Sequence, residues 1–349
     1  MAHLELYHHF SKPPSSNYFF CLATPEMADA MKYNALEHSV QVPYLMHQLL
    51  AISARDKSRR AADDDTRASY LKLAVQLQTH ALALFDASIP VPSSLASSRQ
   101  STPILAFASM LGTHALCDTL TTLEEPAASQ TEMDECQQRS SLQDFLTKWL
   151  DYIRLHRSVS THALAASHSS ELQPLMQHGR AMVERQPVGH QTDALLARIA
   201  ALQGLSSEVL TACLTAVDLL QVAIDMGNDP PPAESSADGA SSTTPASSSP
   251  EHLPIWWALS APDAFVEALA TGLPDLVAVL AYYAVLLHRA RSCWAVGPAV
   301  GTRLLQVLTA HLGLKYTEVL AYPRKELGMG HFGAVYEAEI RDWSGRPGA

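Results

Sequence analysis

The stretch PDLVAVLAYYAVLLHRARSCWAVGPA, residues 274–299, decides how the rest of the chain is read. Pro274 presets φ for a first helical turn, and Asp275 places a carboxylate at the positive end of the helix dipole. From Leu276 to Leu287 there is no charge and no side-chain amide, so every face of the helix is apolar. A helix of that kind is the centre of a bundle or a membrane span. The apolar run is about 12 residues, short of the roughly 18–20 that cross a bilayer. His288, Arg289 and Arg291 close it at the negative end of the dipole, a place that favours an imidazolium. The stretch predicts a central core helix, not a membrane crossing, with other helices packed around it.

Working outward, the flanking segments carry one apolar stripe each. Asp65 to Ile89 places Tyr70, Leu73, Ala74, Leu77, Ala81, Leu84 and Phe85 at the 3.6-residue period of one buried face, and Pro90 and Pro92 stop it. Pro43 to Arg60 opens on a first-turn proline and aligns Leu45, Leu49 and Ile52. Ser101-Thr102-Pro103 reads as a cap and first turn for a helix to about Thr122, followed by a polar acidic connection over Glu124 to Glu135. Ser141 to Leu155 aligns Leu142, Phe145, Leu146, Trp149 and Ile153, with shorter segments from Val159 to Met182. Asp193 to Leu202 and Ser206 to Met226 are further helices, and Ile255-Trp256-Trp257, Asp263 to Ala270 and Gly297 to Leu312 complete a final helical group. A short helix over His3 to Phe10 opens the chain. The fold class predicted is all-α: a large irregular helical bundle around a central apolar helix.

Residues 228–250, NDPPPAESSADGASSTTPASSSP, differ in kind. With no aliphatic side chain larger than alanine they cannot offset their ordering entropy, which predicts a disordered insertion loop within one domain.

Totals narrow the function. Hydrophobic residues make 47% of the 349 and charged ones 17%, ample for a sizeable core. The net charge of −11 works against a phosphate-binding surface, which needs clustered Lys and Arg. The densest basic run, Arg55 to Arg60, is followed at once by Asp63 to Asp65 and reads as a solvated helix end. Five scattered cysteines without CxxC spacing, and no apolar signal segment at the start, predict reduced thiols in a soluble intracellular protein.

Three strings carry a family resemblance. Leu4-Glu5-Leu6-Tyr7-His8-His9-Phe10, Pro43-Tyr44-Leu45-Met46-His47-Gln48-Leu49-Leu50-Ala51, and Tyr283-Ala284-Val285-Leu286-Leu287-His288 followed by Trp294 and Gly297 occur in order. Together they resemble the C-terminal regulatory domain of fungal zinc binuclear cluster (Zn2Cys6) transcription factors, closest to the sterol uptake control regulators. The resemblance runs over residues 1–326. It implies an effector domain that senses a small molecule or partner and regulates RNA polymerase II transcription in the nucleus, with a cytoplasmic stage before activation. In that family DNA contact belongs to an N-terminal six-cysteine, two-zinc module. This sequence starts at the regulatory strings, and its cysteines cannot make that cluster, so zinc is expected only with such a module and no direct nucleic-acid binding is expected of this chain. Tyr316 and Tyr322 stand where the family often has an aromatic residue or Trp.

Motifs for chemistry are few. Leu327 to Tyr336, LGMGHFGAVY, matches the glycine-rich loop of protein kinases, but the lysine and two aspartates that phosphoryl transfer needs do not follow before Ala349. Residues 327–349 are therefore read as a non-functional tail. Sixteen histidines show no His-Glu-x-x-His and no ligand spacing to carboxylates or thiolates, so no metal site is expected. No G-x-S-x-G elbow is present, and no enzyme activity is expected. What remains is an aromatic-rich interior. Trp256, Phe265, Tyr282, Tyr283, Leu286, Trp294 and Gly297 are the candidate lining of a lipid-sized pocket, with a tyrosine hydroxyl to meet a sterol hydroxyl and Gly297-Pro298 forming a turn beside it. The competing expectations are that these residues simply fill a core, and that the protein is a ligand-free helical interaction scaffold binding the transcriptional machinery or partner regulators.

Overall fold

The computed structural model describes residues 2–12, 19–20, 24–88, 101–124, 135–165, 173–228 and 250–330. Residues 229–249 of the insertion expected over 228–250, and nearly all of the glycine-rich tail, lie outside the described residues. Among those described the fold is all-α, without a strand.

Helix α1 spans Ala2–Ser11. Helix α2 (Pro25–Ser39) is capped by Thr24, whose hydroxyl accepts from the Met27 amide at 3.3 Å with Pro25 in the first turn. Helices α3 (Pro43–Arg60) and α4 (Asp64–Ser88) form an antiparallel hairpin, and its ring contacts run in that register, Tyr44 meeting Phe85 at 5.3 Å. Helix α5 covers Ser101–Thr121 and α6 covers Glu135–Ala165, followed by α7 (Gln173–Glu184), α8 (Asp193–Ala200) and α9 (Ser207–Asn228). After a 3-10 turn at Pro250–His252 come α10 (Leu253–Ser260) and α11 (Asp263–Leu269). The decisive stretch then forms α12 (Pro274–Val277) and α13 (Val279–Arg289), and the chain continues through α14 (Val300–Leu312), a 3-10 turn at Leu314–Tyr316, and α15 (Ala321–Glu326).

The apolar residues segregate into two clusters. One is built by α1 to α4, the first half of α5 from Ala106 to Leu111, and Val159. The other holds the second half of α5, most of α6, and α8 to α14. Helix α5 threads both, and Trp294 packs against both. In α13 every residue from Val279 to Leu287 is buried, so no face of it meets solvent. That is the physical content of a stripeless apolar helix.

Two expectations change. The helix expected over Ser141 to Leu155 spans Glu135–Ala165, and beyond Leu155 Arg157 turns back to bond the Ala258 carbonyl at 3.0 Å and to pair with Asp263, holding α6 against the ends of α10 and α11. The last long helix begins at Val300 rather than Gly297, since Gly297 takes φ +84, outside the helical region. Two described helices, α5 over Thr102–Thr121 and α9, have the length and apolarity of a membrane span, and the bent pair α11 with Pro274–Arg289 makes a third by the same measure. In each of the two single helices 67% of the apolar window is buried inside the protein.

Candidate functional site

The aromatic candidates sit on α10, α11 and α13 and on the turns after α13, and the helical geometry sorts them. Tyr282 and Tyr283 are neighbours in sequence and so leave α13 in different directions. Tyr283 enters a ring cluster with Trp257 at 5.2 Å and Trp149 at 5.6 Å, and Trp257 meets Phe265 at 6.1 Å. All four side chains are fully buried. Tyr282 instead stacks on Tyr322 at 5.9 Å, on the α15 side. Leu286, one turn beyond Tyr282 and Tyr283, is buried in the same cluster. Trp256 is half-buried beside it, with its indole N–H inside and without a hydrogen-bond partner.

Two of the seven candidates lie elsewhere. Trp294 meets Phe19 edge to face at 6.0 Å, at the boundary of the two apolar clusters. Gly297 lies under an ion pair: a Cβ there would come 2.4 Å from a Glu124 carboxylate oxygen and 2.6 Å from an Arg59 guanidinium nitrogen. The chain does turn here, with the Val296 and Gly297 amides both bonding the Cys293 carbonyl, and Gly297 is the point where this turn closely approaches α3.

The polar atoms of the ring cluster are unequally satisfied. Tyr282 donates its hydroxyl proton to the Val319 carbonyl at 2.8 Å, and the Trp257 indole donates to the Ala216 carbonyl at 2.9 Å. Both are thereby committed to the fold. The Tyr283 hydroxyl and the Trp149 indole N–H lie close to each other, but neither makes a well-formed hydrogen bond. Burial pushes the Tyr283 phenol well above its ordinary value, so it stays protonated and carries a donor without an acceptor. Trp149 was visible in the sequence only as one residue of an apolar stripe; its indole beside Tyr283 required the α6–α13 packing.

A second polar set runs along α3 and α5, where a solvated helix end was expected. Arg55 reaches Asp118 at 2.5 Å and Thr121 at 2.6 Å, and Arg59 forms two parallel bonds of 2.8 Å with Glu124. The side chains of Arg55 and Asp56 are 5% and 0% exposed, so the start of this run faces inward, while Arg60 at its end is 51% exposed. The reason is acidic residues brought in from α5 and the turn after it, a partner that sequence adjacency does not reveal. Asp56 accepts from His9 at 2.7 Å and Arg60 at 3.0 Å, and burial raises its carboxyl above the ordinary range against the opposing pull of His9. Next along the seam, the Gln48 amide donates to His114 Nδ1 at 3.5 Å while His114 Nε2 lies 3.6 Å from Asp118. Burial depresses the His114 imidazole to about 4, and likewise His156, whose ring packs on the α5 backbone where Gly112 leaves room. Beside Arg59 the buried Cys117 thiol is pushed up to about 12 by burial. His114, His156 and Cys117 are thereby held neutral near pH 7.

His288 also departs from the sequence reading. Burial first, then Arg291, lower its imidazole, with Glu326 pulling the other way, so the end of α13 does not favour an imidazolium there. Among the described residues no group of three or more His, Cys, Asp or Glu side chains is placed to hold a metal ion. No family model, curated protein or solved structure matches the chain.

Proposed function

We propose that this chain is the regulatory effector domain of a fungal transcription factor, acting in the nucleus on RNA polymerase II transcription and gated by a sterol or other lipid. It is read as non-catalytic and without a resident cofactor, contacting partner regulators rather than nucleic acid and not crossing a membrane. The observation that carries the ligand reading is the Tyr283 hydroxyl, a protonated donor lacking an acceptor on a ring packed against Trp149 and Trp257. A buried donor without an acceptor is expensive, and a ligand oxygen placed there would relieve it. Trp256 supplies a second indole N–H at the half-buried edge of the same group.

The test is a thermal-shift titration of the purified protein with ergosterol and with oleate delivered from cyclodextrin. A ligand that binds only the native state must raise Tm. The expected result is a saturable rise for at least one of them that is lost in Tyr283→Phe. Unchanged melting with both, at concentrations where each stays dispersed, overturns the ligand reading.

A second reading, a ligand-free helical scaffold, is favoured by a different observation. Tyr282 and Trp257 already spend their donors on backbone carbonyls, as core residues do. Mass spectrometry of denatured protein separates the two, since a scaffold releases no small molecule.

A further inference from the structure

The α3–α4 hairpin brings together two histidines that the sequence keeps 33 positions apart, His47 on α3 and His80 on α4, with ring centroids 4.5 Å apart. Their environment suits metal ligation in three respects. His47 donates Nδ1–H to the Pro43 carbonyl at 2.8 Å, which fixes its proton on that nitrogen and leaves the Nε2 lone pair available. A backbone carbonyl holding the far nitrogen of an imidazole is the arrangement that orients metal-bound histidines in general. His80 is exposed and His47 half-buried, so a hydrated ion reaches both. Neither ring belongs to an ion pair with a carboxylate, so no fixed negative charge competes for the imidazoles.

We propose that His47 and His80 form a bidentate site for a borderline divalent transition metal, with Cu2+ and Ni2+ ahead of Zn2+, the remaining positions being filled by water. Imidazole selects such ions over Mg2+ or Ca2+, which take oxygen ligands. The preference among them follows from the ring separation. With metal–nitrogen bonds of about 2.0–2.1 Å, each ring centroid stands roughly 3.2 Å from the ion, and centroids 4.5 Å apart then subtend an angle of about 90° at the metal. A right angle fits square-planar or octahedral coordination better than the tetrahedral angle that zinc adopts. The rings now meet edge to face, at 69°. Turning the exposed His80 ring about its broad terminal torsion is the one adjustment required. A bound ion would staple α3 to α4 near the Tyr44 and Phe85 contact that closes the N-terminal cluster.

The experiment is a titration of the full chain with NiCl2, CuCl2 and ZnCl2, each against MgCl2, read by calorimetry and by Tm. The expected result is a one-to-one site with Ni2+ and Cu2+ and a Tm rise of about 2–5 °C at saturation, absent with Mg2+. In His80→Gln, an exposed position where the fold is undisturbed, that binding should weaken at least tenfold. His190→Gln, which removes an exposed histidine beside Asp193 on the other side of the sequence, should leave it unchanged. Equal binding by the parent and His80→Gln, or a loss of binding in His190→Gln alone, overturns the assignment, as does the absence of any saturable site at millimolar metal.

Discussion

Two adjacent tyrosines on one helix illustrate how far a single residue's role depends on its partner. Tyr282 and Tyr283 are both buried, yet one hydroxyl has a backbone acceptor at 2.8 Å and the other makes no well-formed hydrogen bond. Tyr282→Phe should destabilise the protein by about 1–2 kcal/mol, because the Val319 carbonyl loses its donor. Tyr283→Phe should stay within about 0.5 kcal/mol in the absence of ligand, because almost nothing is broken. Urea unfolding of the two variants checks this, and equal losses would mean that Tyr283 has an acceptor in solution. Gly297 makes a sharper case. Its φ of +84 and the Arg59–Glu124 pair above it both exclude a side chain, so Gly297→Ala should cost about 2–4 kcal/mol. A fall in Tm of less than a degree would show that the pair simply moves aside.

At the scale of elements, α3 and α9 have something in common: each turns two or more polar residues inward, Gln48, Arg55 and Asp56 on α3 and Gln221 and Asp225 on α9. On α9, Gln221 and Asp225 are one turn apart and both buried. Asp225 accepts the amides of Val188 at 2.8 Å and Gly189 at 3.1 Å, while Gln221 accepts the Thr192 amide at 2.9 Å. A loop with no regular structure, Arg185 to Gln191, is thereby pinned at its middle and just beyond its C-terminal end, and Gly189 has no space for a side chain against Gln191 and Asp225. Asp225→Ala should release that loop without unfolding the bundle. Amide exchange at Val188 and Gly189 should accelerate at least tenfold while the α13 amides keep their protection. Uniform acceleration throughout would instead make Asp225 part of the global core. The polar members of α3 work between elements, Arg55 and Arg59 joining it to Asp118 and Glu124 while its apolar side chains fill the N-terminal cluster.

Across the whole molecule the buried imidazoles decide the response to acid. His114 and His156 titrate near 4 when folded, against 6.5 for a free imidazole, so the unfolded chain binds more protons between those values. Stability is therefore full above about pH 6.5 and is lost as pH falls toward 4, by roughly 2–4 kcal/mol for each group. Asp56, raised by burial, acts in the opposite sense: its contribution favours the fold at low pH and fades as pH rises through its folded value. The histidines dominate, because they are two and their shift is large. Urea midpoints between pH 7 and pH 4 should fall steadily, and less steeply in His156→Gln. A parent midpoint that does not change over that range would contradict the burial of both rings.

Helix positions and their inward faces were legible from the sequence because they depend on local periodicity. The stripe Leu77, Ala81 and Phe85, the proline at the start of α3 and the stripeless run of α13 each report burial through spacing alone. Helix α2 carried an equally local signal, Thr24 before Pro25 and Glu26, yet its buried face is only Ala28, Met31 and Ala35, so the apolar stripe is weak. Partners across the fold are another matter. That Arg59 meets Glu124 beneath Gly297, that Trp149 lies against Tyr283, and that His47 faces His80 depend on how helices cross, at sequence separations no periodic pattern encodes. Hydrophobic spacing fixes which side of a helix leaves water, since that choice is made residue by residue. Only the close packing of the assembled helices decides which buried polar group finds a partner and which, like the Tyr283 hydroxyl, is left waiting for one.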